Sequence, residues 1–198
     1  MKTRLKYCYN SLVILYLHGF NSSPLSEKAR ILSAYFAERG ALCAVPQLHH
    51  RPSKAIAQAE VFLNDDEHHT VAGSSMGGYY ATWLCEKYPN TRAVLINPAV
   101  KLAEKLADCV DKTQTNYHNN ETYLFDKEHL QEFEALEITA LQAPKKYLLL
   151  AQTGDEVLDY REAADFYQGA EQIIVEGGDH SFVNFADYLP RIAAFVTQ

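Results

Sequence analysis

Short apolar runs alternate with longer amphipathic segments along almost the whole chain. Each run has four to six residues and most are continuously apolar, which is typical of parallel strands covered on both faces. The segments between them carry apolar residues at helical spacing, as in the predicted helix Met76–Tyr88. This alternation predicts an α/β domain with a doubly wound parallel sheet. The predicted strands are Leu12–Leu17, Leu42–Val45, Thr70–Gly73, Ala93–Ile96, Lys146–Ala151 and Gln172–Val175.

Length and composition narrow the class of protein further. The 198 residues predict a single domain over 1–198, and 47% hydrophobic with 22% charged residues excludes a disordered chain. No apolar run is long enough to span a bilayer. The net charge of −7 disfavours a nucleic-acid partner, because backbone binding needs clustered basic residues. Four scattered cysteines favour reduced thiols, and we expect a cytoplasmic location.

One stretch interrupts the alternation. Residues 100–142, called the inserted segment below, show no predicted strand and carry nine acidic residues against four lysines. A connection this long between the fourth and fifth strands is either a helical insertion or a functional lid. We expect a helical, lid-like insertion rather than a second domain.

The stretch Gly73–Gly77 fits the pattern G-x-S-x-G. The pattern alone is weak, but here a predicted strand precedes it and a predicted helix follows it, which is the setting of a nucleophile elbow. Ser75 would occupy the tight turn, and Gly73 and Gly77 would remove side chains that otherwise collide across it. Ser74 is a poorer candidate, because residues other than glycine flank it.

The sequence His18-Gly19-Phe20 follows the first predicted strand. Gly19 lets the main chain approach a ligand closely. In an acyl-transfer enzyme the backbone N–H groups of Phe20 and Met76 would form the oxyanion hole, and the positive end of the following helix would add to it. We interpret His18 as a structural residue that holds this loop.

Eight histidines compete for the role of base. His180 comes just after the last predicted strand, at the same carboxyl edge as Ser75. Asp155 follows the fifth strand and would bind the Nδ1–H of His180, with Glu156 and Asp159 as rivals for the acid role. The chain order serine, acid, histidine is that of α/β hydrolases. The pairs His49–His50 and His68–His69 have no third ligand nearby, and we interpret them as surface loops rather than metal sites.

Together these residues resemble the α/β hydrolases and, more closely, the YqiA-type esterases of bacteria. The resemblance implies a compact, six-stranded, mostly parallel sheet of order 2-1-3-4-5-6 and a triad of Ser75, Asp155 and His180. The chain departs from the family at Asp179, where asparagine is usual, so that a second carboxylate would lie beside the base and could raise the basicity of His180. The resemblance rests on the stretches Leu15–Pro24, Gly73–Leu84, Asn97–Val100, Gln152–Arg161 and Glu176–Gly178, together with His180.

The expected activity is that of a serine esterase or thioesterase that acts through an acyl-enzyme, without metal or cofactor, on a small acyl ester or thioester. Two alternatives remain: a peptidase or amidase with the same triad, and a non-catalytic binding module. Aromatic and leucine side chains of the inserted segment either line an acyl pocket or pack lid helices. Four basic residues either bind an anionic carrier such as coenzyme A or form a solvated face. They are Lys28, Arg30, Arg51 and Lys54.

Overall fold

The computed structural model describes residues 13–63 and 67–198. Its centre is a six-stranded sheet of order β2-β1-β3-β4-β7-β8, in which every neighbouring pair is parallel. Counting only the strands of this sheet, the order is 2-1-3-4-5-6, and the predicted winding is confirmed. The sheet strands are β1 Val13–Leu17, β2 Leu42–Ala44, β3 His69–Ser75, β4 Thr91–Pro98, β7 Tyr147–Gln152 and β8 Glu171–Val175.

Helices cover both faces of the sheet and bury two apolar layers. Alternate residues of β1 show the division, because Leu15 and Leu17 pack into one layer while Ile14 and Tyr16 pack into the other. Both layers consist of fully buried aliphatic and aromatic side chains, which explains why the strands are apolar without alternation. The helices are α1 Glu27–Ala37, α2 Pro52–Glu60, α3 Met76–Lys87, α4 Leu102–Leu106, α5 Lys127–Ala135, α6 Tyr160–Phe166 and α7 Leu189–Val196.

The inserted segment corrects one expectation. Besides α4 and α5 it contains an antiparallel hairpin of β5 Lys112–Thr115 and β6 Thr122–Phe125, so the prediction that it holds no strand is wrong. The strand β5 is polar and mostly exposed, and therefore carries no apolar run that would reveal it. The aromatic rings of Phe125 and Phe133 are fully buried against the helices of the core. For these two residues the packing interpretation holds.

Smaller differences concern the ends of elements and the histidine pairs. Strand β3 continues to Ser75, two residues beyond the predicted end, and Leu12 of the predicted first strand lies outside the described residues. The interpretation of His69 as a loop residue is wrong, because it begins β3 and only 6% of it is exposed. Within 13–63 and 67–198, no helix is long and apolar enough to cross a membrane.

Candidate active site

Ser75 ends β3, and α3 begins at the next residue. The backbone of Ser75 has φ 56° and ψ −122°, a left-handed conformation that is strained for a residue with a side chain. The turn is possible because of its glycines: a Cβ on Gly73 would overlap the carbonyl of Gly77, and a Cβ on Gly77 would overlap that of Leu17. The pairing with β4 also shifts register between Ser74 and Ser75. The geometry is that of a nucleophile elbow.

Asp155 and His180 form a close carboxylate–imidazole pair at this edge of the sheet. The Nδ1 of His180 lies 2.8 Å from Oδ2 and 3.0 Å from Oδ1 of Asp155. The same Oδ1 accepts the backbone N–H groups of Val157 and Leu158, both at 2.9 Å. Burial alone would raise the pKa of Asp155, whose side chain is 2% exposed. The hydrogen bonds from His180 and the two amides outweigh burial and lower this pKa, so the carboxylate stays ionised and holds the proton on Nδ1.

The two rival acids have other partners. One carboxylate oxygen of Glu156 accepts the backbone N–H of His180 at 3.0 Å, so this residue holds the main chain and not the imidazole. Asp159 caps α6 by accepting the backbone N–H of Arg161 and pairs with the guanidinium of the same residue. Of the three acids, therefore, only Asp155 reaches the ring of His180.

Two buried amide side chains that the sequence analysis did not single out hold the loop that carries His180. The Nδ2 of Asn97 donates to the carbonyls of Asp179 at 2.9 Å and His180 at 3.2 Å, and its Oδ1 accepts the N–H of Gln152 at 2.9 Å. The Oε1 of Gln152 accepts the N–H groups of Asp179 and Val183, and its Nε2 donates to the carbonyl of Val183. The signal in the sequence that could have revealed Asn97 and Gln152 is a polar residue at the end of an apolar strand.

These contacts bring Ser75 and His180 to the same edge. Ser75 pairs with Pro98 in the β3–β4 ladder, and the neighbouring Asn97 bonds the main chain of His180. The two side chains are not hydrogen-bonded to each other in this conformation. Catalytic hydrogen bonds of free enzymes commonly form or tighten only when substrate binds.

The loop after β1 passes directly beside Ser75. A Cβ built on Gly19 would lie 3.5 Å from the Cβ of Ser75. His18 is 2% exposed; its Nε2 accepts the N–H of Leu48 at 3.1 Å and its Nδ1 faces the carbonyl of Gly19 at 3.0 Å. Burial lowers the pKa of His18, and the neutral Nδ1–H tautomer satisfies both contacts. The residue thus fixes the loop, as the sequence analysis interpreted it.

The two backbone N–H groups predicted for the oxyanion hole are both unengaged by the fold. Phe20 follows this loop, and its N–H donates to no acceptor among residues 13–63 and 67–198. Met76 is the first residue of α3, where an N–H has no acceptor within its own helix. Met76 follows Ser75 in the chain, and Phe20 follows Gly19, which lies close to Ser75, so both amides could meet a ligand bound there.

Comparisons with known proteins assign the chain to a family. The model of an uncharacterised protein family, UPF0227, matches residues 13–197. The chain belongs to this family. A curated relative, the UPF0227 protein YcfP of Salmonella paratyphi A, is 26% identical over 204 residues, which cover 93% of this chain and 99% of the relative.

Solved structures show the fold of this UPF0227 protein. Mouse α/β hydrolase domain-containing protein 10 superposes with a TM-score of 0.72 at 15% identity, covering 94% of this chain and 90% of that one. The esterase domain of a Rhodothermus marinus protein superposes with a TM-score of 0.69 at 14% identity, covering 94% and 86%. The chain therefore has the α/β-hydrolase fold, and the resemblance drawn from its motifs is confirmed.

Cavities lie at several places in the described part of the chain. One of about 460 Å³ lies between α3, residues 136–139 and α6, and none of Ser75, Asp155 or His180 lines it. One of about 330 Å³ follows residues 153–161, and one of about 20 Å³ lies between the loop after β1 and the inserted segment. Size alone does not identify the candidate site here, because Gly19 and Met76, which lie beside Ser75, line the cavity of about 20 Å³, whereas Asp155 lines that of about 330 Å³.

Two of the basic residues considered for an anionic carrier have partners within the UPF0227 fold. Arg51 lies 2.6 Å from a carboxylate oxygen of Asp126 and 3.1 Å from one of Glu128. The Nζ of Lys28 donates to the carbonyl of Ser181 at 2.9 Å. Burial lowers the pKa of Lys28, and the nearby carboxylates, of which Asp179 is the foremost, partly oppose this shift. Both cations thus serve internal contacts.

Proposed function

We propose that this chain is a serine hydrolase of carboxylic esters or thioesters, with Ser75, Asp155 and His180 as its triad. The observation that carries the proposal is the contact between an ionised, buried Asp155 and the Nδ1 of His180, next to a serine held at φ 56° between two sterically required glycines. This contact leaves the Nε2 of His180 as an acceptor, as the base of a serine hydrolase requires.

In the proposed reaction the Oγ of Ser75 attacks the acyl carbon while its proton passes to Nε2 of His180. The negative charge that develops on the carbonyl oxygen is stabilised by the N–H groups of Phe20 and Met76. His180 then gives the proton to the leaving oxygen or sulfur, and the acyl group stays on Ser75. A water molecule, deprotonated by His180, releases the acid and regenerates the serine. No step needs a metal or cofactor.

Labelling with a fluorophosphonate tests the proposal directly. The wild-type protein should become labelled at Ser75 and should hydrolyse 4-nitrophenyl acetate and butyrate, whereas Ser75→Ala should show neither property and lose about 10⁴-fold or more in kcat. Ser74→Ala is the matched control, because Ser74 is buried one residue away, and it should keep labelling at Ser75. A wild-type protein that is folded but neither labels nor hydrolyses would support a binding module instead.

The same assay separates the two enzymatic alternatives. Turnover of a 4-nitrophenyl ester and of a matched acyl thioester, set against the corresponding 4-nitroanilide, ranks esterase against amidase activity. We expect the ester and thioester to be cleaved at least about 10³-fold faster than the anilide. A preference for the anilide would replace the proposed esterase with a peptidase or amidase.

A further inference from the structure

A second hydrogen-bonded series of titratable side chains lies opposite the triad and takes no part in the proposed reaction. The Nδ1 of His129 lies 2.7 Å from Oδ1 of Asp126, and its Nε2 lies 2.8 Å from the Nδ1 of His50. His129 is 1% exposed, so its ring is enclosed between the two partners. The pair His49–His50, interpreted from the sequence as a surface loop, is thus connected to the inserted segment.

The charges fix where the protons lie in this series. Arg51 approaches Asp126 at 2.6 Å, and hydrogen bonds from His129 lower the pKa of Asp126 against the opposing effect of desolvation. The backbone N–H of Asp126 also points at the Nδ1 of His129, at 3.1 Å. A lone pair on this Nδ1 would face an ionised carboxylate oxygen at 2.7 Å, which costs more than two N–H groups that face each other at 3.1 Å. The Nδ1 of His129 therefore carries the proton, and its Nε2 accepts a hydrogen bond from the Nδ1 of His50. Burial, together with His49 and His129, lowers the pKa of His50 to about 4. His50 is therefore neutral near pH 7, and its Nε2 presents a lone pair.

His50 lines the cavity of about 20 Å³ that Phe20 and Met76, the two proposed oxyanion-hole residues, also line. A space of this size holds one water-sized group, such as a hydroxyl. The ring of His50 stacks on that of Tyr123, and the ring of His49 packs against it at a tilt of 36°, with both ring centroids 4.2 Å from that of His50. The orientation of its nitrogen is therefore set by packing as well as by the hydrogen bond to His129.

The other polar groups around this cavity favour a hydroxyl as the occupant. The Tyr123 hydroxyl donates to Oδ1 of Asn21, and Nδ2 of Asn116 donates to the carbonyl of Ser22, both at 2.8 Å. These donors are engaged. His49 accepts the N–H of Arg51 on Nδ1, so its Nε2 carries a proton. A hydroxyl can donate to one histidine and accept from the other, which neither a methyl group nor an ether oxygen can do.

We infer that His50, oriented by His129 and Asp126, forms a subsite that binds a hydroxyl group on the acyl portion of the substrate. The inference rests on the proposed function. The leaving group must lie beside His180 to receive its proton, and the cavity is lined by no residue of the loops that carry His180 and Asp155. The group that reaches His50 is consequently on the acyl side of the scissile bond. The expected substrate is a hydroxyacyl ester or thioester with a short acyl chain.

The test compares the 4-nitrophenyl esters of butyrate, 3-hydroxybutyrate and 3-methoxybutyrate in wild type and His50→Phe. Phenylalanine keeps the stacked ring and removes both nitrogens. His68→Phe is the matched control, because His68 is an exposed histidine ahead of β3. The ratio of kcat/KM for hydroxybutyrate to butyrate is measured in each protein, so that differences in intrinsic ester reactivity cancel between variants.

We expect this ratio to fall by about 10-fold or more in His50→Phe and to stay within twofold in His68→Phe, with the methoxy ester treated like butyrate or worse by wild type. An unchanged ratio in His50→Phe, or equal use of the hydroxy and methoxy esters, overturns the subsite while leaving the esterase intact. Hydrolysis of none of the three esters by folded wild type overturns the proposed function itself. If His50→Phe does not fold, His50→Leu takes its place.

Discussion

Replacement of Asp155 by asparagine tests the acid–base pair most directly, because the two side chains have the same shape. Oδ1 of Asp155 accepts the N–H groups of Val157 and Leu158, both at 2.9 Å, and an asparagine oxygen would keep these bonds. The amide nitrogen would then take the place of Oδ2, 2.8 Å from the Nδ1 of His180. Two donors cannot face each other, so Nδ1 must lose its proton and Nε2 must carry it.

That change of tautomer removes the base from Ser75 without removing any atom of the imidazole. We expect kcat for 4-nitrophenyl butyrate to fall by about 10³- to 10⁴-fold, equivalent to about 4 to 5.5 kcal/mol of transition-state stabilisation. KM should change little, because no group that contacts the acyl chain is altered. The rate at which a fluorophosphonate labels Ser75 should fall by a similar factor.

Two further variants are the controls. Asp159→Asn alters the cap of α6 and the pairing with Arg161, and we expect it to change kcat by less than about threefold. Glu156→Gln keeps an oxygen to accept the N–H of His180 and should cost less than about tenfold. The reasoning is refuted if Asp155→Asn retains a tenth or more of wild-type kcat, or if Asp159→Asn is the more damaging change.

Three other expectations follow from particular contacts. Asn97→Asp keeps the oxygen that accepts from Gln152 but replaces the donor that faces the carbonyls of Asp179 and His180 with an acceptor. Urea unfolding should therefore show a free energy of unfolding lower by about 2 to 4 kcal/mol, and kcat should fall as well. An unchanged urea midpoint would contradict this expectation. Gly77→Ala should lower the free energy of unfolding by more than about 3 kcal/mol in the same assay, because the added Cβ overlaps the carbonyl of Leu17. Gly40→Ala is the control: Gly40 has φ +76° but lies in open space, so the loss should be only about 1 kcal/mol. Similar losses in the two variants would contradict the steric argument. Because the pKa of His50 is lowered in the folded protein, the unfolded chain takes up a proton there first as pH falls below about 6.5, and the free energy of unfolding declines from that pH toward pH 4. Between pH 7.5 and 5.0 the wild type should therefore lose about 1 kcal/mol more of this free energy than His50→Phe, after allowance for partial exposure of the ring. Equal losses in the two proteins would refute this expectation.

The parts of the fold that the sequence predicted are those in which one physical cause acts on consecutive residues. A strand buried on both faces, such as β7 Tyr147–Gln152, must be apolar at nearly every position, and this leaves a continuous run to detect. The hairpin of the inserted segment has no such run. Lys112–Thr115 is a polar strand paired on one side only, so pairing and not burial specifies it, and pairing leaves little local trace.

The residues of the candidate site fall into the same two groups: some have a signal in the local sequence, and others are brought together only by tertiary packing. Ser75 and the loops of Asp155 and His180 were predicted because parallel strands place their carboxyl ends at one edge of the sheet, a rule that needs only the strand positions. The hydrogen bond between His50 and His129 joins residues 79 positions apart, one on the loop ahead of α2 and the other in the first turn of α5, and the relation of these two elements depends on tertiary packing. Neither histidine lies in a pattern that relates it to the other, so the sequence could not show this contact.

Asn97 and Gln152 explain how loops can hold the site rigidly. The N–H and C=O groups around Asp179, His180 and Val183 point into the protein, where they need partners. A carboxylate or ammonium could satisfy only one kind of group and would bury a charge, at a cost of several kcal/mol. An amide both donates and accepts without charge, and these two side chains bond the loop from the ends of β4 and β7. The position of the His180 main chain is thereby tied to the strand that pairs with the Ser75 strand, so the distance between the His180 main chain and Ser75 is set by the sheet.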